Sequence, residues 1–139
     1  MGADFVRRIL DELQPDRIEH GVRAAEDPAL LSELRHAIDA GELRLFLQPK
    51  VDLAKRRVVG AEALVRWQHP TRGLVPPMQF IPFAEQTGFI RMLSAWVLAG
   101  AAQFARDAAD AGLTLRLSVN LSTRDLMDQD LPGKIEALM

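Results

Sequence analysis

The amino-acid sequence predicts an α/β fold, in which strands and helices alternate along the chain. Apolar and polar residues alternate over residues 43–47 and 113–119, which is the pattern of half-buried strands. The run at residues 58–67 is apolar almost throughout and predicts a strand covered on both faces. Apolar residues at helical spacing predict a long helix over residues 90–111, before the third strand. The order strand, helix, strand, helix is typical of α/β proteins.

The N-terminal residues predict a leader that precedes this core. Apolar residues on one helical face predict a helix over residues 1–14, and the polar stretch that follows predicts a linker. Asp27 before Pro28 predicts the start of the next helix, because Asp caps helices and Pro suits their first turn. We therefore divide the chain into a leader helix and linker over residues 1–29 and a domain over residues 30–139.

Proline residues mark the remaining predicted helices. Pro76-Pro77 opens a short helix over residues 78–86. A further helix starts at residues 122–123, where hydroxyl side chains can cap it, and Pro132 interrupts it. Residues 134–139 then predict a second short helix, with no cap and no strand after it. We therefore expect the chain to be part of a larger domain.

The composition excludes several classes of protein. Hydrophobic residues make up 48% and charged residues 26%, as in an ordinary folded domain. The absence of cysteine excludes disulfides, thiolate zinc sites and cysteine nucleophiles. A formal net charge of −2 argues against DNA or RNA as a partner, because such binders carry a basic excess. No apolar run reaches about 18 residues and no signal peptide is visible, so we expect no membrane span and a cytoplasmic protein.

Two polar side chains indicate a metal site. Glu62 lies inside the apolar strand, where a carboxylate is costly to bury unless it is paired or bound to a metal. Asn120 follows the third strand, and α/β folds place active sites at C-terminal strand ends. The pair predicts an oxygen-ligand site for Mg²⁺ or Mn²⁺. The alternatives are an ion pair with Arg66 or an exposed edge position for Glu62, and a turn or capping role for Asn120.

Arg66 shares a predicted strand face with Glu62, because residues 62, 64 and 66 of a strand point to the same side. A carboxylate can hold a metal while a guanidinium binds phosphate oxygens, a combination that suits a phosphodiester. The alternative is a simple ion pair between the two side chains. The aspartates at 125, 128 and 130 lack the Gly and the distal Glu of a calcium loop.

Four blocks of the sequence form a recognisable series, at residues 48–53, 59–67, 76–88 and 118–122. In this order they resemble the motifs of the EAL domain family, the bacterial phosphodiesterases that cleave cyclic di-GMP. The triplet that names the family is Glu62-Ala63-Leu64. The resemblance covers about residues 30–139.

The resemblance implies a fold, a reaction and a set of site residues. The fold is the first half of a modified TIM-type (β/α)8 barrel with an antiparallel first strand. The reaction is hydrolysis of cyclic di-GMP to linear pGpG with Mg²⁺ or Mn²⁺. By motif position, Glu62 and Asn120 would be metal ligands, and Arg66 would contact a substrate phosphate. Gln48 and Leu64 would line the nucleotide pocket.

The second half of the family pattern has no counterpart in this sequence. A TIM barrel needs about 250 residues and eight strands, whereas this chain predicts three strands. We therefore expect the chain alone to be inactive, with no catalytic residue beyond the metal ligands. An open half-barrel exposes strand edges, so we expect self-association, and the family also implies a linked sensor or GGDEF domain. The alternative function is a non-catalytic module that binds cyclic di-GMP or regulates another protein.

Overall fold

The structure is a computed structural model, and it describes residues 28–139. The predicted helix at residues 1–14 and the linker after it lie outside the described residues. The elements in chain order are α1 (Pro28–Asp39), β1 (Leu43–Asp52), β2 (Arg57–His69), β3 (Gly73–Val75), a 3₁₀ turn (Pro77–Gln79), α2 (Ile81–Thr87), α3 (Ile90–Asp110), β4 (Arg116–Val119), α4 (Thr123–Leu126) and α5 (Leu131–Leu138).

β2 is the central strand of a four-stranded sheet. It pairs antiparallel with β1 along most of its length and antiparallel with β3 at its C-terminal end. Residues 60–63 of β2 pair parallel with β4, across a connection that contains α3. A parallel pair joined through a helix is the βαβ unit of α/β proteins, so the predicted class is confirmed. The antiparallel first strand implied by the resemblance is confirmed as well.

β2 and β4 lie too close together at Gly60 for a side chain. A Cβ atom at this position would lie 2.5 Å from the carbonyl oxygen of Arg116. This distance is well inside van der Waals contact, and glycine in a strand often marks such an approach of another backbone. The parallel pair that brings β4 beside β2 therefore depends on glycine here.

The hydrophobic core forms where the sheet meets α1, α2 and the start of α3. Trp67 on β2 is 1% exposed and makes an edge contact with Phe80, with ring centroids 5.8 Å apart. Its Nε1 donates a hydrogen bond to Glu42 Oε2 at 2.8 Å, so its only polar atom is satisfied. The other large, fully buried side chains are those of Phe80, Phe83, Leu34 and Leu93.

β2 is covered on one face only within the described residues, so the prediction of burial on both faces is wrong for this part of the chain. Successive strand residues point to opposite faces, and β2 alternates accordingly from position 61 to position 64. The apolar residues on the less buried side, among them Leu64, account for the misleading run in the sequence. We call the side with Ala61, Ala63 and Trp67 the packed face, and the side with Glu62, Leu64 and Arg66 the open face.

Two strand boundaries differ from the prediction for local reasons. The sequence predicts only a loop before Pro76, and β3 is too short, at three residues, to give a periodic signal. The last strand begins at Arg116 instead of residue 113. The Leu113 N–H donates to the Ala108 carbonyl at 2.8 Å, and Gly112 has a φ of +80°, so these residues still close the end of α3.

Two helices differ from the prediction because of their prolines. The predicted helix at 78–86 is a 3₁₀ turn followed by α2, and Pro82 lies in the first turn of α2. Pro132 lies in the first turn of α5 and does not interrupt a helix. Proline fits the first turn because the N–H it lacks has no partner within the helix there.

Candidate functional site

The strand register brings the candidate residues together on the open face. Gln48 of β1 lies opposite Glu62 of β2, and Ser118 of β4 lies opposite Glu62 on its other side. Residues that face each other across adjacent strands point to the same side of a sheet. Glu62 is therefore the middle member of a polar row that crosses three strands.

Asn120 follows β4 directly. Since β4 pairs parallel with β2 at residues 60–63, its C-terminal end lies beside Glu62. Asn120 Nδ2 donates a hydrogen bond to Glu62 Oε1 at 2.9 Å. The structure thus brings together the two side chains for which the sequence predicts a shared metal. The cap of α4 is Ser122, so the alternative of a capping role for Asn120 does not hold for this helix.

Arg66 is half-buried on the same face, and its guanidinium is not engaged by Glu62. Within residues 28–139, Arg66 takes part in no ion pair, so the simple ion pair with Glu62 is absent there. The Arg66 Nη1 donates to the Val65 carbonyl at 2.8 Å, and its Cζ lies 5.9 Å from the centre of the Phe46 ring. Within the described residues, no other side-chain hydrogen bond of Arg66 is formed, so its remaining guanidinium donors are available to a ligand.

A cavity of about 250 Å³ adjoins these residues. Leu64, Arg66 and Asn120 line it, together with side chains of α2 and α3. Gln48 does not line this cavity and is exposed beside Glu62 on β1. The two predicted pocket residues therefore lie in different places. Leu64 lines the cavity, whereas Gln48 lies on β1 beside Glu62 and outside the cavity.

The open face is basic around Glu62. From Leu43 to the register shift after Lys50, and along the pairing with β4, the register places four basic residues and one acidic residue, Glu62, on this side of the sheet. Beyond the shift, Asp52 pairs with Arg57. A surface with this excess attracts anions such as phosphates. The four basic residues are Arg44, Lys50, Arg66 and Arg116.

Two polar residues near the site are not among those predicted from the sequence. Lys50 Nζ donates to Ser118 Oγ at 2.7 Å, next to Glu62 in the row. Ser94 of α3 is buried and lines the cavity together with Asn120. A serine on the apolar side of a long helix indicates a buried hydroxyl that needs a hydrogen-bond partner. Helical periodicity does not identify that partner.

The donor atoms of Glu62 and Asn120 fit a hard divalent cation. Mg²⁺ and Mn²⁺ prefer carboxylate and amide oxygens. The Asn120 amide points its nitrogen at Glu62, so it must turn to offer its oxygen as a ligand. Residues 28–139 contain no group of three or more acidic or histidine side chains placed to hold a metal. The two side chains therefore form only part of an octahedral ligand set.

Comparisons with known proteins place the chain in a family. The family model for the EAL domain matches residues 31–139. The chain is 41% identical over 100 residues to the cyclic di-GMP phosphodiesterase PdeR of Escherichia coli, a match that covers 72% of this chain and 15% of PdeR. It is 46% identical over 101 residues to the cyclic di-GMP phosphodiesterase PA2567 of Pseudomonas aeruginosa, a match that covers 71% of this chain and 17% of that protein.

A solved structure gives the same result. The PaMucR phosphodiesterase in complex with cyclic di-GMP matches 78% of this chain with a TM-score of 0.75 and 38% identity. The match covers 44% of the PaMucR chain, so this chain spans less than half of that structure and less than a fifth of PdeR or PA2567. The described residues form part of a TIM-type barrel, and the chain belongs to the EAL domain family.

Proposed function

We propose that this chain supplies one part of the active site of a phosphodiesterase that hydrolyses cyclic di-GMP to linear pGpG. The hydrogen bond between Asn120 and Glu62 carries this proposal, because it joins two side chains with oxygen ligands beside the guanidinium of Arg66. The two relatives named as cyclic di-GMP phosphodiesterases support it.

Each candidate residue has a separate role in this proposal. Glu62 and Asn120 are ligands of Mg²⁺ or Mn²⁺, and a bound cation would supply Lewis-acid activation of water and of the phosphoryl group. Arg66 binds a substrate phosphate, because its planar guanidinium matches phosphate oxygens. Gln48, beside Glu62, and Leu64, in the cavity wall, contact the nucleotide.

The site needs groups beyond residues 28–139. These residues contain no metal-binding group of three, and a complete barrel of this type has about 250 residues. We therefore propose that the 139-residue chain alone is inactive. In the active protein, the rest of the barrel covers the open face and supplies the remaining ligands and proton-transfer groups.

The exposed surface of the sheet favours self-association of the isolated chain. Phe46 on the open face is 46% exposed, and β1 has no further strand along its outer edge within the described residues. Free strand edges and apolar patches attract other chains. A linked sensor or GGDEF domain is the second partner that we propose.

We place the protein in the cytoplasm, without a nucleic-acid partner. No helix within residues 28–139 combines the length and apolar character needed to cross a bilayer. The net charge of −2 gives no general attraction to DNA or RNA.

A second candidate function is a non-catalytic module that binds cyclic di-GMP. The observation that favours it is the excess of basic residues around Glu62 on the open face, since basic side chains bind phosphate without a metal. The two candidates differ in their dependence on a divalent cation. Binding without hydrolysis, unchanged by Mn²⁺, would favour the module.

A chimeric barrel tests the proposal. Residues 31–139 replace the matching part of the PaMucR phosphodiesterase domain, to which the chain is 38% identical. We expect the chimera to form pGpG with Mg²⁺ or Mn²⁺, measured by chromatography, and Glu62→Ala to abolish it. Glu136→Ala, a change of the same type at an exposed position of α5, should keep the activity. Turnover that survives Glu62→Ala would overturn the role of Glu62.

A further inference from the structure

Two buried polar side chains lie beneath the loop that carries Asn120. Within residues 28–139, Ser94 at 7% exposure and Asp125 at 4% are the only polar or charged residues that are buried. Burying such groups is unfavourable unless they are hydrogen-bonded. Ser94 Oγ donates to Asp125 Oδ2 at 2.7 Å, so each satisfies the other across 31 residues of sequence.

The same carboxylate oxygen of Asp125 also holds the loop after β4. Asp125 Oδ2 accepts hydrogen bonds from the Ser122 backbone N–H at 2.8 Å and from Ser122 Oγ at 2.7 Å. Ser122 Oγ in turn accepts from the Asp125 N–H at 3.2 Å, which completes the capping box of α4. One oxygen therefore connects helix α3, through Ser94, to the backbone two residues after Asn120.

Short hydroxyl–carboxylate hydrogen bonds are among the stronger contacts in proteins, and a buried network favours one arrangement of its members. Ser94, Asn120 and Ser122 line the same cavity. The capping box by itself orders only α4, because both of its residues lie in the same loop and helix. The bond from Ser94 fixes that unit relative to α3, and so relative to Glu62 on the sheet.

We propose that Ser94 and Asp125 are positioning residues that set the place of the Asn120 amide relative to Glu62. The role of Asn120 as a metal ligand rests on the proposed function. The positioning of its amide rests only on contacts within residues 28–139. It assigns to the buried pair an effect on the metal site that a general contribution to folding would not produce.

The first part of the test needs no metal. NMR on the ¹⁵N-labelled chain measures hydrogen exchange of the Asn120 side-chain amide, which the bond to Glu62 protects. We expect Ser94→Ala to speed this exchange several-fold, because it removes the anchor and leaves the capping box intact. Ser94→Thr should restore protection, because it keeps the hydroxyl and the adjoining cavity can take its methyl group.

A matched control separates positioning from stability. Ala101→Gly changes another buried residue of α3 and makes no hydrogen bond to Asp125. We expect it to lower the melting temperature at least as much as Ser94→Ala without changing exchange at Asn120. Exchange in Ser94→Ala equal to the original chain, or equal to Ala101→Gly, would overturn the inference.

The second part of the test titrates Mn²⁺ into the chimeric barrel, which supplies the ligands that residues 28–139 lack, and follows the EPR signal of the free ion. We expect Glu62→Ala to remove binding and Ser94→Ala to weaken it about tenfold, the lower end of effects from residues that orient metal ligands. Ser94→Thr should bind Mn²⁺ like the unchanged chimera. If the unchanged chimera binds no Mn²⁺ but exchange at Asn120 still depends on Ser94, the proposed metal site fails and the positioning stands. If Mn²⁺ binds and Ser94→Ala binds it equally well, the positioning inference fails and the metal site stands.

Discussion

The two faces of the sheet differ in what their side chains contact. On the packed face, Ala63 and Trp67 are 2% and 1% exposed, and the indole N–H of Trp67 is paired with Glu42. On the open face, Phe46 is 46% exposed and Arg66 takes part in no ion pair within the described residues. The packed face therefore contributes most to the stability of this part of the chain. The open face keeps polar groups available for a ligand and for the rest of a barrel.

Trp67→Ala should give the largest change in stability. Truncation of a fully buried aromatic residue lowers the free energy of unfolding by about 3–5 kcal/mol. Leu64→Ala, the comparison on the open face, should lower it by only about 1 kcal/mol, because Leu64 is half-buried. Urea denaturation of the two variants checks this difference. Equal losses would mean that the two faces do not differ as described.

Arg66→Ala should give the largest change in binding on the open face. Loss of a charged hydrogen bond costs about 1.5–3 kcal/mol, or roughly tenfold to 100-fold in the Kd for cyclic di-GMP. Arg35→Ala, at an exposed position on α1, is the matched control and should leave binding unchanged. Calorimetry on the chimeric barrel measures both. An Arg66→Ala protein that binds as tightly as its parent would exclude a phosphate contact.

Gly60→Ala should destabilise the pairing of β2 with β4, the contact on which both faces of the sheet depend. Its Cβ would lie 2.5 Å from the Arg116 carbonyl oxygen, so we expect a loss of about 1–3 kcal/mol. Gly133→Ala is the matched control, because a Cβ there has no neighbour within 4 Å and alanine favours helix α5. The control should gain about 0.5–1 kcal/mol. Thermal unfolding measures both changes, and a stabilised Gly60→Ala protein would contradict the close approach of β2 and β4.

Loss of the ion pair between Asp128 and Lys134, which lies away from both faces of the sheet, should give the smallest change in stability. The Lys134 side chain, 2.6 Å away, and then the Asp130 N–H hold the pKa of Asp128 below its usual value of 3.8. Because the folded pKa is lowered, the contribution to stability is present above pH 3.8 and is lost as the pH falls through the folded pKa. Lys134→Gln should raise the pKa of Asp128 in an NMR titration. High salt should reduce the effect in the original chain, because the pair is exposed to solvent.

The sequence predicts the parts of the fold that depend on periodicity and on strand ends. The long apolar run predicts β2, and helical spacing predicts α3, because each buries a regular stripe of residues. Glu62 and Asn120 could be paired on chemical grounds, since a carboxylate inside an apolar strand and an amide at a strand end both offer oxygen ligands to a metal. Periodicity does not predict β3, which consists of three residues.

The contacts that the sequence does not predict are long-range and polar. Ser94 and Asp125 are 31 residues apart, and Lys50 and Ser118 are 68 residues apart. Each pairing depends on how the helices and strands are placed in three dimensions, whereas propensity and spacing describe only neighbours in the chain. The burial pattern of β2 also depends on what covers the open face, which the strand's own sequence does not determine.

In the proposed function, Glu62 and Asn120 act together in one metal site. A double-mutant cycle in the chimeric barrel measures this cooperation through pGpG formation in Glu62→Ala, Asn120→Ala and the double variant. We expect each single change to lower kcat by at least about 100-fold and the double variant to lose little more, because residues that act as a unit are not additive. Losses that multiply in the double variant, or near-normal turnover in Asn120→Ala, would contradict a shared site.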